Sequence, residues 1–105
     1  MPKLATRSLT GKSGKSYLFN VYAGNMRFND FIPGVYFIST QSEGDEKAVF
    51  LGESDNVDAK LQNHELQSSF DEHRYNRISF HKNASREVRK AIVEDLLPVL
   101  EPVSN

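Results

Sequence analysis

Residues 34–64 decide the fold. They read Gly-Val-Tyr-Phe-Ile-Ser (Gly34 to Ser39), an acidic turn at Ser42-Glu43-Gly44-Asp45, then Ala-Val-Phe-Leu-Gly (Ala48 to Gly52) and Ser-Asp-Asn-Val-Asp-Ala-Lys-Leu-Gln-Asn-His (Ser54 to His64). Gly34 to Ile38 is apolar at nearly every position, as in a strand covered on both faces. The Gly/Asp turn reverses the chain, so Ala48 to Gly52 reads as the antiparallel partner. With the turn centred near Glu43, paired residue numbers sum to about 86, which puts Tyr36 opposite Phe50. A helix follows, with Ser54 or Asp55 as its N-cap. Val57 and Leu61, with Leu66, suit its buried stripe. Lys60 and His64 lie one turn apart on a neighbouring face, with Asn56 a turn earlier.

Upstream, Ser16 to Tyr22 alternates, with Tyr17, Phe19 and Val21 on one face and Leu18, Asn20 and Tyr22 on the other. Ala23-Gly24-Asn25 reads as a turn, Met26 to Ile32 as extended or irregular, and Pro33 stops that segment. Residues 16–32 are therefore expected to form a hairpin over or beside the core, after a loosely held start over 1–15. The run Gly11-Lys12-Ser13-Gly14-Lys15-Ser16 resembles a phosphate-cradling loop only superficially. Leu9 stands where that pattern needs its first glycine, and a strand follows where it needs a helix.

Downstream, the polar run 67–76 reads as a loop. Arg77 to His81 alternates as a third core strand, with Ile78 and Phe80 inward and Arg77, Ser79 and His81 outward. Asn83 or Ser85 suits the cap of a last helix whose apolar positions are Val88, Ala91, Ile92 and Leu96, and Pro98 marks its expected end. The chain thus reads as one mixed α/β domain of the α+β type over 1–105. A small, three-stranded, mainly antiparallel sheet is flanked by helices over 34–105, behind an N-terminal extension over 1–33.

The composition fits this size. The chain has 105 residues, 38% hydrophobic and 26% charged, with a formal net charge of -1. That is ordinary globular composition, and it offers no global basic field for phosphate backbones. Without cysteine there are no disulfides or thiolate metal sites, which suits a reducing compartment. The N-terminus has no signal-peptide pattern and no stretch approaches a membrane span, so a soluble cytoplasmic protein with no membrane partner is the expectation. Charge is nevertheless uneven. Gln41 to Asp58 holds six acids against Lys47, whereas Lys60 to Lys90 holds seven bases against four acids, and all three histidines. Solvated helix faces account for such a segment; a phosphate-contacting surface that includes Lys60, Arg77, Lys82 and Arg86 is the sharper alternative.

Taken singly, the candidate residues say little. Glu94 falls near a helix C-terminus, where the macrodipole disfavours an anion, and beside Asp95 it reads as a solvent-exposed acid. Tyr36 alone is a core tyrosine. The histidines lack metal-ligand spacing. Together, however, Gly34-Val35-Tyr36, Phe50-Leu51-Gly52, the helix with Lys60 and His64, and Glu94 followed by Pro102 and Asn105 resemble the GIY-YIG nuclease family over roughly residues 34–105. The resemblance implies a nucleic-acid phosphodiesterase that uses a divalent metal ion, magnesium or manganese. Glu94 would hold the metal as Lewis acid, Tyr36 would help to activate water, and Lys60 would steady charge developing on the phosphate. Asn105 would be the structural asparagine, and His64 matches a histidine common at that helix position.

The chain departs from the family pattern at three points. Phe50 replaces the second motif's tyrosine, Lys60 replaces an arginine and loses its bidentate fork, and Glu94 to Pro102 is about one residue short. Two function classes follow: a metal-dependent endonuclease, or a catalytically degenerate module that binds nucleic acid or a protein. A domain this small needs recognition elements, which dimerisation or a partner protein would supply.

Overall fold

The computed structural model describes residues 3–105, and Met1 and Pro2 of the expected loose start lie outside it. Five strands run in the chain as β1 (Ala5–Thr10), β2 (Ser16–Ala23), β3 (Gly34–Ser42), β4 (Asp45–Ser54) and β5 (Arg77–Lys82). Two short helices, α1 (Val57–Gln62) and α2 (Gln67–Glu72), separate β4 from β5, and α3 (Arg86–Leu100) closes the chain. The strands form one sheet in the order β1-β2-β5-β3-β4, with every neighbouring pair antiparallel. The class is α+β as expected, but the sheet has five strands rather than three.

The central hairpin forms where the sequence placed it, with a different register. Glu43 and Gly44 both take positive φ (48° and 84°), as a two-residue hairpin turn of type I′ requires. The turn is thus centred between them, and Ser42 pairs with Asp45. A bulge then inserts Val49, and beyond it Tyr36 faces Gly52 and Ile38 faces Phe50, correcting the expected pairing of Tyr36 with Phe50. The bulge turns both Val49 and Phe50 toward the same apolar cluster.

Other expectations shift for reasons of tertiary pairing. Residues 5–10 are not loose: β1 pairs with β2 from Ala5↔Val21 to Thr10↔Ser16, so the hairpin spans 5–23, and residues 24–33 form a loop over the sheet. The polar run after His64 contains α2, whose one buried side chain, Phe70, is enough to hold it against the core. The first helix is capped by Asn56, one residue past the expected positions, and Ser85 caps α3 as expected. Pro98 lies inside α3, and the left-handed Glu101 ends the helix. Proline removes only the bond to the Glu94 carbonyl, one turn before the natural end, so the cost is small there.

Alternation sorts the strand residues onto two faces. The inner face carries Phe19, Val35, Phe37 and Leu51, packed against Ile92 and Leu96 of α3. The outer face carries Tyr36, Ile38, Ile78 and Phe80, packed with Val57 of α1 and Phe70 of α2. Ser79, expected to point outward to solvent, is fully buried on the inner face, because β5 lies inside the sheet and α3 covers it. The sheet curls around α3 until its edge strands meet, with Arg7 of β1 donating to both carboxylate oxygens of Glu46 of β4 at 2.8 and 2.7 Å. The free edge of β4 is covered by the chain end. Val103 and Ser104 donate to the carbonyls of Ala48 and Val49, and the Asn105 side chain pairs with both backbone polar groups of Leu51. Among the described residues, no helix is long and apolar enough to cross a membrane.

Candidate functional site

Tyr36 sits at the centre of the outer face, one strand from Gly52 and directly opposite it. A side chain at Gly52 would put its Cβ 2.8 Å from the Tyr36 hydroxyl and 2.7 Å from the Phe50 ring, so this glycine makes room for the phenol. The Phe50 ring lies alongside that of Tyr36 at 5.9 Å and meets His64 edge-on at 4.8 Å. His64 comes from the chain just past α1 and is buried.

The hydrogen bonds fix the state of this pair. The backbone N–H of Leu66 donates to His64 Nδ1 at 3.1 Å. A neutral ring with Nδ1 accepting holds its proton on Nε2, which lies 3.0 Å from the Tyr36 hydroxyl and donates to it. Burial, then the nearby Lys60 ammonium, lowers the pKa of His64, which keeps it neutral. Burial, then the Glu53 and Glu65 carboxylates, raises the pKa of Tyr36, so its phenol holds its proton well above physiological pH. Neither group is poised to take a proton from water.

The remaining sequence candidates divide. Lys60, on α1 over the outer face, is part-exposed, with its ammonium 4.0 Å from Glu65. Asn105 borders the site through its paired bonds to Leu51, next to Gly52. Glu94 does not join them. On α3 the inward positions are Arg89, Ile92 and Leu96, and Glu94 is exposed on the opposite side of that helix. The sheet and α3 therefore stand between Glu94 and Tyr36. Arg77 and Lys82 lie at opposite ends of β5, and Arg86 is exposed at the start of α3, so these bases do not form one stripe. For a divalent cation beside Tyr36, the one assigned donor does not fit, because Glu94 is across the sheet. Glu53, the carboxylate on β4, is held at 2.8 Å by Arg89.

Three side chains matter more than the sequence reading allowed. Arg89, read as a solvated base, is 1% exposed, and its guanidinium bonds Glu53, Asp55 and the Asn83 carbonyl. Val88 and Ala91, expected on the buried stripe, are exposed instead. The spacing Arg89, Ile92, Leu96 was legible as a helical stripe only by admitting a charge to it. Asp95, to which the sequence pattern gives no role, clamps the β1–β2 turn. It accepts from the Ser13 N–H and hydroxyl and from the Tyr17 hydroxyl, contacts that hold its pKa low. Asp58 is buried, accepting two bonds from Arg27 and one from the Phe28 N–H. These pairings cross 31 and 82 positions, and no local signal announces them.

Compared with known proteins, the chain matches no family model, no curated protein and no solved structure, so its function has to be argued from this geometry.

Proposed function

We propose that the chain is a GIY-YIG-like domain that binds nucleic acid without cutting it. Two features support the likeness. The tyrosine strand β3 lies between β5 and β4, with two helices before β5 and a long one after it. Tyr36, Phe50, Gly52, His64 and Lys60 gather on one face around that strand.

The observation that carries the absence of cleavage is the separation of Tyr36 and Glu94 by the sheet and α3. A hydrolytic site needs its water-activating group and its charge-stabilising group within a few ångströms of one reacting phosphate. Here the phenol is buried against a neutral imidazole, and Phe50 has no hydroxyl to offer. Loss of a single hydrogen bond to a developing charge costs on the order of a hundredfold in rate. What remains on the outer face is a binding chemistry of cations beside aromatic rings, with Lys60 over one half of the sheet and Lys82 over the other. Such a domain would act in the cytoplasm, with a second copy or a partner protein adding specificity.

Two assays on the purified chain test this. Labelled oligonucleotides should bind with an affinity that falls as salt rises. Supercoiled plasmid and structured nucleic acids should stay intact with magnesium or manganese. Metal-dependent cutting that vanishes in Glu94→Ala would overturn the proposal in favour of the nuclease.

A further inference from the structure

The short helix α1 packs against β3 and β4, and Phe70 of α2 joins the cluster formed by Tyr36, Ile38 and Val49, leaving the outer face of β2 and β5 to the 24–33 loop. Between that loop and the two strands lies a groove of about 390 Å³, within the ~300–1,000 Å³ typical of small-ligand sites. Its floor is aromatic. Phe28 meets Tyr22 edge-on at 5.5 Å and lies 4.9 Å from Phe80. Asn20, Asn29 and Lys82 add polar and cationic residues to its lining. Among the described residues, Lys82 has no ion-pair partner. Arg27, also at the groove, is held by the bidentate Asp58 carboxylate, which fixes the loop rather than leaving a free cation.

Beside the groove, Phe31 is 80% exposed and its backbone takes φ +61°. A bulky aromatic rarely adopts that conformation. It is held there because the carbonyls of the next two residues are engaged, Ile32 by the Val57 N–H and Pro33 by the Asn83 N–H. The loop is thus braced at both α1 and the β5–α3 connection while presenting an aromatic ring to solvent.

We infer that this groove binds an unpaired base of single-stranded nucleic acid, with the adjoining phosphate on Lys82 and a neighbouring base stacked on Phe31. The inference rests on the nucleic-acid reading above and specifies its substrate class. An apolar peptide side chain in the groove would offer nothing to the polar side chains of Asn29 and of Asn20, whose Oδ1 already accepts from the Thr6 hydroxyl. A base edge, which carries donors and acceptors together, suits groups that are themselves both. Stacked bases inside a duplex present no free faces to Phe28, Tyr22 or Phe31. Most of the surface lies on β2 and the loop after it, outside the part of the chain that resembles the nuclease family, with Phe80 and Lys82 added from β5 within that part.

An amide-resolved NMR titration of the full chain with short single-stranded DNA and RNA, and with a duplex, tests the inference. Shifts at Asn20, Tyr22, Phe28 and Lys82 on adding single strand are expected. Phe31→Ala and Lys82→Ala, both at exposed positions and both checked for an unchanged spectrum before titration, should each weaken binding by roughly tenfold. A preference for duplex, or shifts confined to the surroundings of Lys60, would overturn the groove while leaving a nucleic-acid binder. Absence of binding to every oligonucleotide would overturn both.

Discussion

The two faces of the sheet are solved differently, and length explains why. Five strands span about 19 Å at their usual spacing, and the 15 residues of α3 make a helix about 22 Å long. One helix therefore covers the whole inner face, from β4 to β1, and the sheet curls until Arg7 and Glu46 join its edges. The six residues of α1 and of α2 give about 9 Å each, roughly two strand spacings. The outer face is consequently covered only in part. The closed face holds its buried cation, Arg89, bonded to Glu53, Asp55 and the Asn83 carbonyl, whereas the open face keeps a groove, an exposed aromatic and a lysine that has no ion-pair partner among the described residues. Completeness of cover separates the closed half of this molecule from the half left open to solvent.

That contrast can be broken most directly at Arg89. Arg89→Ala should destabilise the fold by about 3 kcal/mol in urea denaturation, because it strips the joint between α3, β4 and the Asn83 turn of its shared cation. A loss below about 1 kcal/mol would show that α3 is held by its apolar stripe alone. On the outer face, Gly52→Ala should cost about 2 kcal/mol by overpacking against Tyr36 and Phe50. Its chemical shifts should move around His64 while α3 stays unchanged.

Acid titration sharpens the same comparison. His64 has its folded pKa lowered from 6.5, so the unfolded chain takes up its proton first, and stability falls as pH drops through that value. His64→Gln should flatten this part of the melting-temperature profile. Asp58 and Asp95 are lowered from 3.8, Asp58 chiefly by the Arg27 hydrogen bond and Asp95 chiefly by the Ser13 hydroxyl. Their contribution is complete above that value and is lost as pH falls further. A profile flat down to pH 4 would mean that the imidazole is not buried as described. The smallest effect belongs to Glu94→Ala, which should change stability by less than about 0.5 kcal/mol and leave the oligonucleotide binding proposed above unaltered.

Much of the outer-face cluster was legible in advance. Tyr36, Phe50, Gly52, Lys60 and His64 are close in sequence, on a hairpin and the helix that follows, so local spacing brings them together. Glu94 was grouped with them by motif order alone. Strand alternation and helix phase, which motif order does not record, send it to the far side of α3. The groove was not legible at all, since the loop over 24–33 has no periodicity and its floor comes from strands separated by more than 50 positions.

By itself the sequence determined the central hairpin, its turn chemistry, the alternating strands 16–22 and 77–81, the Ser85 cap and the α+β class, because propensity, periodicity and turn residues act over a few positions. Only the tertiary structure decided the rest. The β1 strand has little apolar character and exists because β2 offers it a ladder; α2 exists because Phe70 finds the core; Arg89 is buried because Glu53, Asp55 and Asn83 converge on it. Each of these rests on partners far away in the chain. Their free energy is released only when the sheet has closed around α3, and no window of sequence contains it.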